Sequence, residues 1–176
     1  MQHFISFFKL NFYSIIRSAT FKTLFIFSGI MLFTSLFGGF EYFGLQSYPV
    51  TYKMIDALNG SLGLFEIIII VFFSGELVWR DRAAKINEVI DATAHNSVVA
   101  LFARVSALVS TVSILHVIAM LTCMLYQVLN GYYNLQVDLY LEFFVLKTLP
   151  NFIFWSFLLV FAQILCNNLY IGYFIS

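Results

Sequence analysis

Apolar residues in this chain fall in long blocks rather than short alternating runs, and brief polar stretches between the blocks hold most of the charge. A helix rises about 1.5 Å per residue and a bilayer's hydrocarbon core is about 30 Å thick, so a crossing takes roughly 20 apolar residues. Four blocks approach that length: 23–40, which is free of charge; 62–79, centred on Ile67-Ile68-Ile69-Ile70-Val71; 98–126, charge-free from Val105 onward; and 146–166. Backbone groups in lipid must bond within their own segment, so β-branched Ile and Val form helix there all the same. The pattern predicts four full spans.

The remaining pieces are of other kinds. Over residues 2–20, Phe4, Phe8, Phe12, Ile15 and Ile16 recur near helical spacing while Lys9 and Arg17 fall elsewhere on the surface, the mark of an interfacial amphipathic helix. Residues 41–61, with Glu41, Pro49, Lys53, Asp56 and Gly60, read as a polar loop. Over 80–95, Ala83, Ile86, Val89 and Ile90 form one apolar stripe. Asp81 and Lys85 stand four apart, and Lys85 and Glu88 three apart, so both pairs meet on the surface of a short helix outside the membrane. Such a helix docks into a groove of a soluble partner, and a plain solvated connector shows the same pattern. The stretch from Leu169 to Ser176 is apolar but too short to cross, and reads as a partial fifth span of a longer protein. The expected fold class is all-α, a polytopic helical membrane protein with residues 1–176 as a single transmembrane domain.

Composition agrees with the pattern. Of 176 residues, 61% are hydrophobic and 10% charged, and mean hydropathy is +0.91; soluble domains average roughly 45–50% apolar and about 25% charged. Net charge is zero, so no basic footprint for nucleic acid is present. Lys9, Arg17, Lys22, Arg80, Arg82, Lys85 and Arg104 fall on one side of the predicted spans and only Lys53 and Lys147 on the other. The positive-inside rule then sets the N-terminus and the 80–104 connection in the cytoplasm. Tyr42, Tyr48, Tyr52, Tyr126, Tyr132, Tyr133 and Tyr140 gather at the opposite boundary, where amphipathic rings sit. Lys9 and Arg17 break any early apolar core, so the N-terminus is no cleavable signal peptide. Cys123 and Cys166 lie in apolar runs without metal-ligand spacing and read as structural thiols.

Glu66 and Glu76 are the carboxylates inside the predicted spans, and His116 is the histidine there. Each is either a substrate- or ion-facing group or a residue satisfied by a neighbour. Glu76 has Arg80 one turn on; Glu66 has no basic residue one turn away in either direction. A lone intramembrane histidine such as His116 commonly hydrogen-bonds between helices. Ala100, Ala103, Ala107 and Ser110 share one face of the third span, a small-residue seam for close helix packing, with Val112 off that row and expected to tolerate enlargement.

The stretch GELVWRDR followed by INEVIDA and a helix carrying Arg104 resembles the cytoplasmic region of type-2 ABC exporter permeases, most closely bacterial permeases whose chain continues into a gluzincin-type aminopeptidase. YPVTYKMIDALNGSLGLFEIIIIVFFSGELVW upstream and QVLNGYY downstream fit the same pattern, and the resemblance covers about residues 9 to 175. It implies that residues 81–92 form a coupling helix, with Asp81, Arg82, Lys85, Ile86, Val89 and Ile90 toward an ABC ATPase subunit. Where the family often has a proline after the Asp-Ala pair, this chain reads Asp91-Ala92-Thr93-Ala94-His95, and family members carry more spans per permease unit. No HExxH and no GxxxxGK[ST] occurs, so the chain itself is expected to be no enzyme and to hold no cofactor, with ATP bound by the partner subunit. The expected function is a permease component in a bacterial cytoplasmic (inner) membrane, partnered by the ATPase, the bilayer and a second permease unit. The alternative is a non-transporting membrane anchor or assembly subunit, including the anchor of a peptidase domain absent from these residues.

Overall fold

The computed structural model describes residues 2–38, 41–42, 45–46, 48–83 and 97–166. The first helix, α1 (Gln2–Arg17), stacks Phe4, Phe8 and Phe12 along one side, with ring centroids 6.5 and 5.6 Å apart, and buries Ile15 completely. Lys9 and Arg17 are exposed. The chain bends at Ser18, whose hydroxyl oxygen accepts the Phe21 N–H at 3.1 Å and so caps α2 (Ala19–Gly38). That span therefore starts four residues before the apolar block and ends at Gly38. Its buried residues Ser28, Leu32 and Leu36 form a single stripe, and of the four long apolar helices it is the least buried.

Between α2 and the next helix, β1 (Glu41–Tyr42) pairs antiparallel with β2 (Leu45–Gln46), in the register Glu41 to Gln46 and Tyr42 to Leu45. Helix α3 then runs from Thr51 to Ala83, so the loop read over 41–61 is helical in its second half. Met54, Ile55, Leu58 and Leu62 are buried at three- and four-residue spacing, whereas Asp56 and Asn59 face outward. The polar residues that suggested a loop are the exposed side of an amphipathic first turn. At 33 residues α3 is about 50 Å long, well beyond the roughly 30 Å of hydrocarbon. At its far end Asp81, Arg82 and Ala83 continue the same helix; Lys85, Ile86, Val89 and Ile90 lie outside the described residues.

Helix α4 (Ser97–Leu129) returns antiparallel to α3. It closes on Gly131, whose φ of +76° suits glycine, while the Gly131 and Tyr132 N–H groups reach back to the Val128 and Gln127 carbonyls at 3.1 and 2.9 Å. The last span begins at Val137 rather than at 146: α5 (Val137–Phe143) passes through a π turn, Phe144–Thr148, into α6 (Leu149–Leu165). In the π turn the Leu149 N–H bonds the Phe144 carbonyl, five residues back. This wider turn lets the helix take Pro150, which has no N–H of its own and would clash with a regular preceding turn. Asp138 and Glu142 are exposed on this extension.

Ala19–Gly38, Thr51–Arg80, Val98–Leu129 and Val137–Leu165 are thus four helices long and apolar enough to cross a membrane. They alternate in direction, which separates a basic end (Arg17, Lys22, Arg80, Arg104) from a tyrosine end (Tyr48, Tyr52, Tyr126, Tyr132, Tyr133). The core lies between α3, α4 and α6, where Ile69, Phe73, Leu108, Val112, Phe152 and Leu159 are buried together, and α1 packs mainly on α4.

Candidate functional site

Several polar side chains within the spans bond a carbonyl of their own helix. Thr23, Thr34, Ser61, Ser106, Thr111 and Thr122 bond the carbonyl four residues back in their own helix, and Ser28 and Ser74 the carbonyl three back. They are satisfied locally, at no cost to helix packing. Glu66 and His116 are not satisfied locally. Glu66 sits on the buried stripe of α3 and His116 on that of α4, and the antiparallel register sets His116 Nδ1 and Glu66 Oε1 2.7 Å apart, within hydrogen-bond distance. Both residues are nearly sealed, at 6% and 2% exposed.

Aromatic rings hold the imidazole in place. Phe144, the first residue of the π turn, stacks on it at 5.6 Å and 23°, and Phe152 meets it edge-on at 5.9 Å. The last span therefore fixes one face of the ring while Glu66 fixes Nδ1. On the other side of Glu66 lies a cavity of about 100 Å³ between α3 and α6, lined also by Asn59, Lys147, Thr148 and Asn151. Lys147 rests its ammonium over the Phe143 ring, 4.7 Å from the centroid.

Glu76 stands apart, ten residues along α3 and so about 15 Å away. It is half-buried near the basic end, where Arg80 bears on it electrostatically. Arg80 also leaves its own helix: Nη1 donates to Ser14 Oγ at 2.6 Å and Nη2 to Asn11 Oδ1 at 3.0 Å, fastening α3 to α1. Beside it the Trp79 indole N–H donates to Gln163 Oε1 at 3.0 Å, joining α3 to α6. At the tyrosine end the fully buried Gln127 donates through Nε2 to the Pro49 carbonyl at 2.8 Å and accepts the Tyr140 hydroxyl at 3.0 Å. Sequence reading missed these contacts. Gln127 and Gln163 were the available signal, since each is a carboxamide on a largely apolar buried stripe.

Ala100, Ala103 and Ala107 are buried and Ser110 half-buried, at the end of α4 alongside which Arg80 holds α1. Val112 is fully buried as well, in the core shared with α3, so the expectation that it tolerates enlargement is reversed. Ala107→Phe should overfill its contact, costing about 1–3 kcal/mol. Ile114→Phe, at a residue 45% exposed, should be near neutral. Thermal midpoints of the two variants in detergent check this, and equal midpoints would place the close contact elsewhere.

Compared with protein-family models, curated proteins and solved structures, the chain matches none. What stands, among the described residues, is an all-α arrangement with four candidate membrane spans and a buried carboxylate–imidazole pair between two of them.

Proposed function

We propose that the chain is a membrane-embedded permease unit of an ABC exporter in a bacterial cytoplasmic membrane, driven by ATP hydrolysis on a separate ATPase subunit. The observation that carries the reading is the length of α3. It continues as one helix from inside the bilayer through Trp79 to Ala83, so the 81–92 segment that resembles a coupling helix is continuous at its start with a span. A displacement there passes directly into α3 and, through the Arg80 bonds, into α1. A second permease unit is the further partner that the resemblance implies for the path.

Orientation is tested by labelling. A cysteine placed at Asn87 should react with an impermeant thiol reagent only from the cytoplasm and one at Gln46 only from outside, on the strength of the basic residues at one end. The reverse pattern removes the assigned roles.

Function is tested on the apolar stripe. Docked helices draw most of their affinity from a few buried anchors, each contributing about 2 kcal/mol or more. Ile86→Asp with Ile90→Asp should therefore abolish recovery of an ABC ATPase with the tagged full chain, and any stimulation of that ATPase, while membrane insertion is unchanged. Equal recovery and equal stimulation would remove the coupling assignment, and the plain membrane anchor would then lead.

A further inference from the structure

We propose that Glu66 and His116 form a buried proton-binding site that exchanges with water through the cavity between α3 and α6. The ligand is the proton itself, delivered and removed as hydronium, and the inference does not depend on coupling to an ATPase.

A carboxyl and an imidazole 2.7 Å apart hold one proton with zero total charge, whichever of the two carries it. In a low-dielectric interior that state would persist indefinitely if the pair were sealed, because removing the proton strands a negative charge. Here the pair is sealed on the His116 side by Phe144 and Phe152 but open at Glu66. The adjoining cavity of about 100 Å³ holds about three waters at roughly 30 Å³ each, and the Asn59, Thr148 and Asn151 side chains supply the polar partners such waters need. Gly63 makes the space: a Cβ built there meets nothing within 4 Å.

The charged groups around Glu66 make the second protonation state possible. From α4 comes His116, and from the π turn comes Lys147, which lines the same cavity. Helix α2 brings no titratable side chain between Thr23 and Gly38, and on α3 itself the nearest are Asp56 and Glu76, each ten residues from Glu66. When the proton leaves, its bond to the pair breaks, the electron pair stays on the pair, and a cavity water becomes hydronium. The negative charge left behind lies on the same cavity that Lys147 lines, so a cation is at hand to offset it. The unloaded state thus has a counter-charge on the cavity wall, which a fully sealed pair lacks.

The experiment uses the full chain in lipid vesicles with ¹⁵N-labelled histidine. The chain has three histidines, so His3→Gln and His95→Gln leave His116 as the only signal. Its ring nitrogens should respond reversibly to bulk pH within about pH 4 to 9, and Glu66→Gln should move the midpoint by about one unit or more, a tenfold change in proton affinity. Gly63→Leu, which fills the cavity, should slow exchange of the ring proton with deuterated water at least about tenfold. Lys147→Met, at an exposed residue, should also move the midpoint, and decides the matter where Glu66→Gln does not assemble. Ring signals that ignore pH over that range would show a locked structural pair. Unchanged exchange in Gly63→Leu would show that the cavity is not the route. Either result overturns the proposal.

Discussion

Glu66→Leu is expected to destabilise the helix bundle by about 2 kcal/mol, and adding His116→Leu to restore most of that loss. In a soluble protein, removing one partner of a buried charged pair costs about 3–5 kcal/mol, since the other is taken from water and left unpaired. Mid-span the comparison differs. The imidazole is already out of water when the separate helices sit in lipid, so only the interhelical bond and its packing are lost on disassembly. The expected value therefore falls toward that of a strong intramembrane hydrogen bond. The double variant replaces the bond by leucines packed beside Phe144 and Phe152. Titration with a denaturing detergent, followed by fluorescence of Trp79 and Trp155, supplies the four corners of the cycle. Additive losses in the double variant would mean that the 2.7 Å contact contributes nothing to assembly.

The number of spans was legible because it is a one-dimensional matter: block length against bilayer thickness. The ends were not legible by the same rule. Lys53 and Asp56 before the second block, and Asp138 and Glu142 before the fourth, look like loop residues, yet they belong to helices that outrun the hydrocarbon. A helix outside lipid needs only one apolar face, and Met54, Ile55, Leu58 and Leu62 provide it at a spacing that a block-length criterion overlooks.

The site was legible as single residues and not as a pair. Glu66 has no basic neighbour on its own helix, which is true and insufficient. Its partner comes from 50 residues further on, and the meeting depends on the register of two antiparallel helices. That register is set by contacts at both ends, Gln127 with Pro49 at one and Arg80 with α1 at the other, and a carboxamide such as Gln127 signals a bond without naming its partner. The π turn is a similar case. Pro150 can disturb a helix, but nothing local says that the disturbance lies just before it and turns Phe144 onto His116.

The larger loss is expected at the membrane boundary rather than at its centre. Gln127→Leu should cost about 3 kcal/mol, and Tyr140→Phe about 1 kcal/mol. Gln127 joins the start of α3 and the start of α5 to the end of α4, through the Pro49 carbonyl and the Tyr140 hydroxyl. Leucine removes these bonds, and a longer one to Thr51 Oγ1 at 3.5 Å, and leaves the carbonyl and the Tyr140 hydroxyl buried without Gln127 as a partner. Near the tyrosine end the separated helices reach water, so each unpaired group carries a full desolvation penalty of about 1–3 kcal/mol, unlike the mid-span imidazole. Tyr140→Phe removes one bond but leaves only the Gln127 oxygen unpaired, and its ring still fills the same space. The ordering Gln127→Leu, then Glu66→Leu, then Tyr140→Phe in the same detergent titration is the distinguishing result. If Glu66→Leu were the costliest of the three, the pair would be held against water in the unassembled state too. If Gln127→Leu were harmless, the register of α3 against α4 would be set by apolar packing alone.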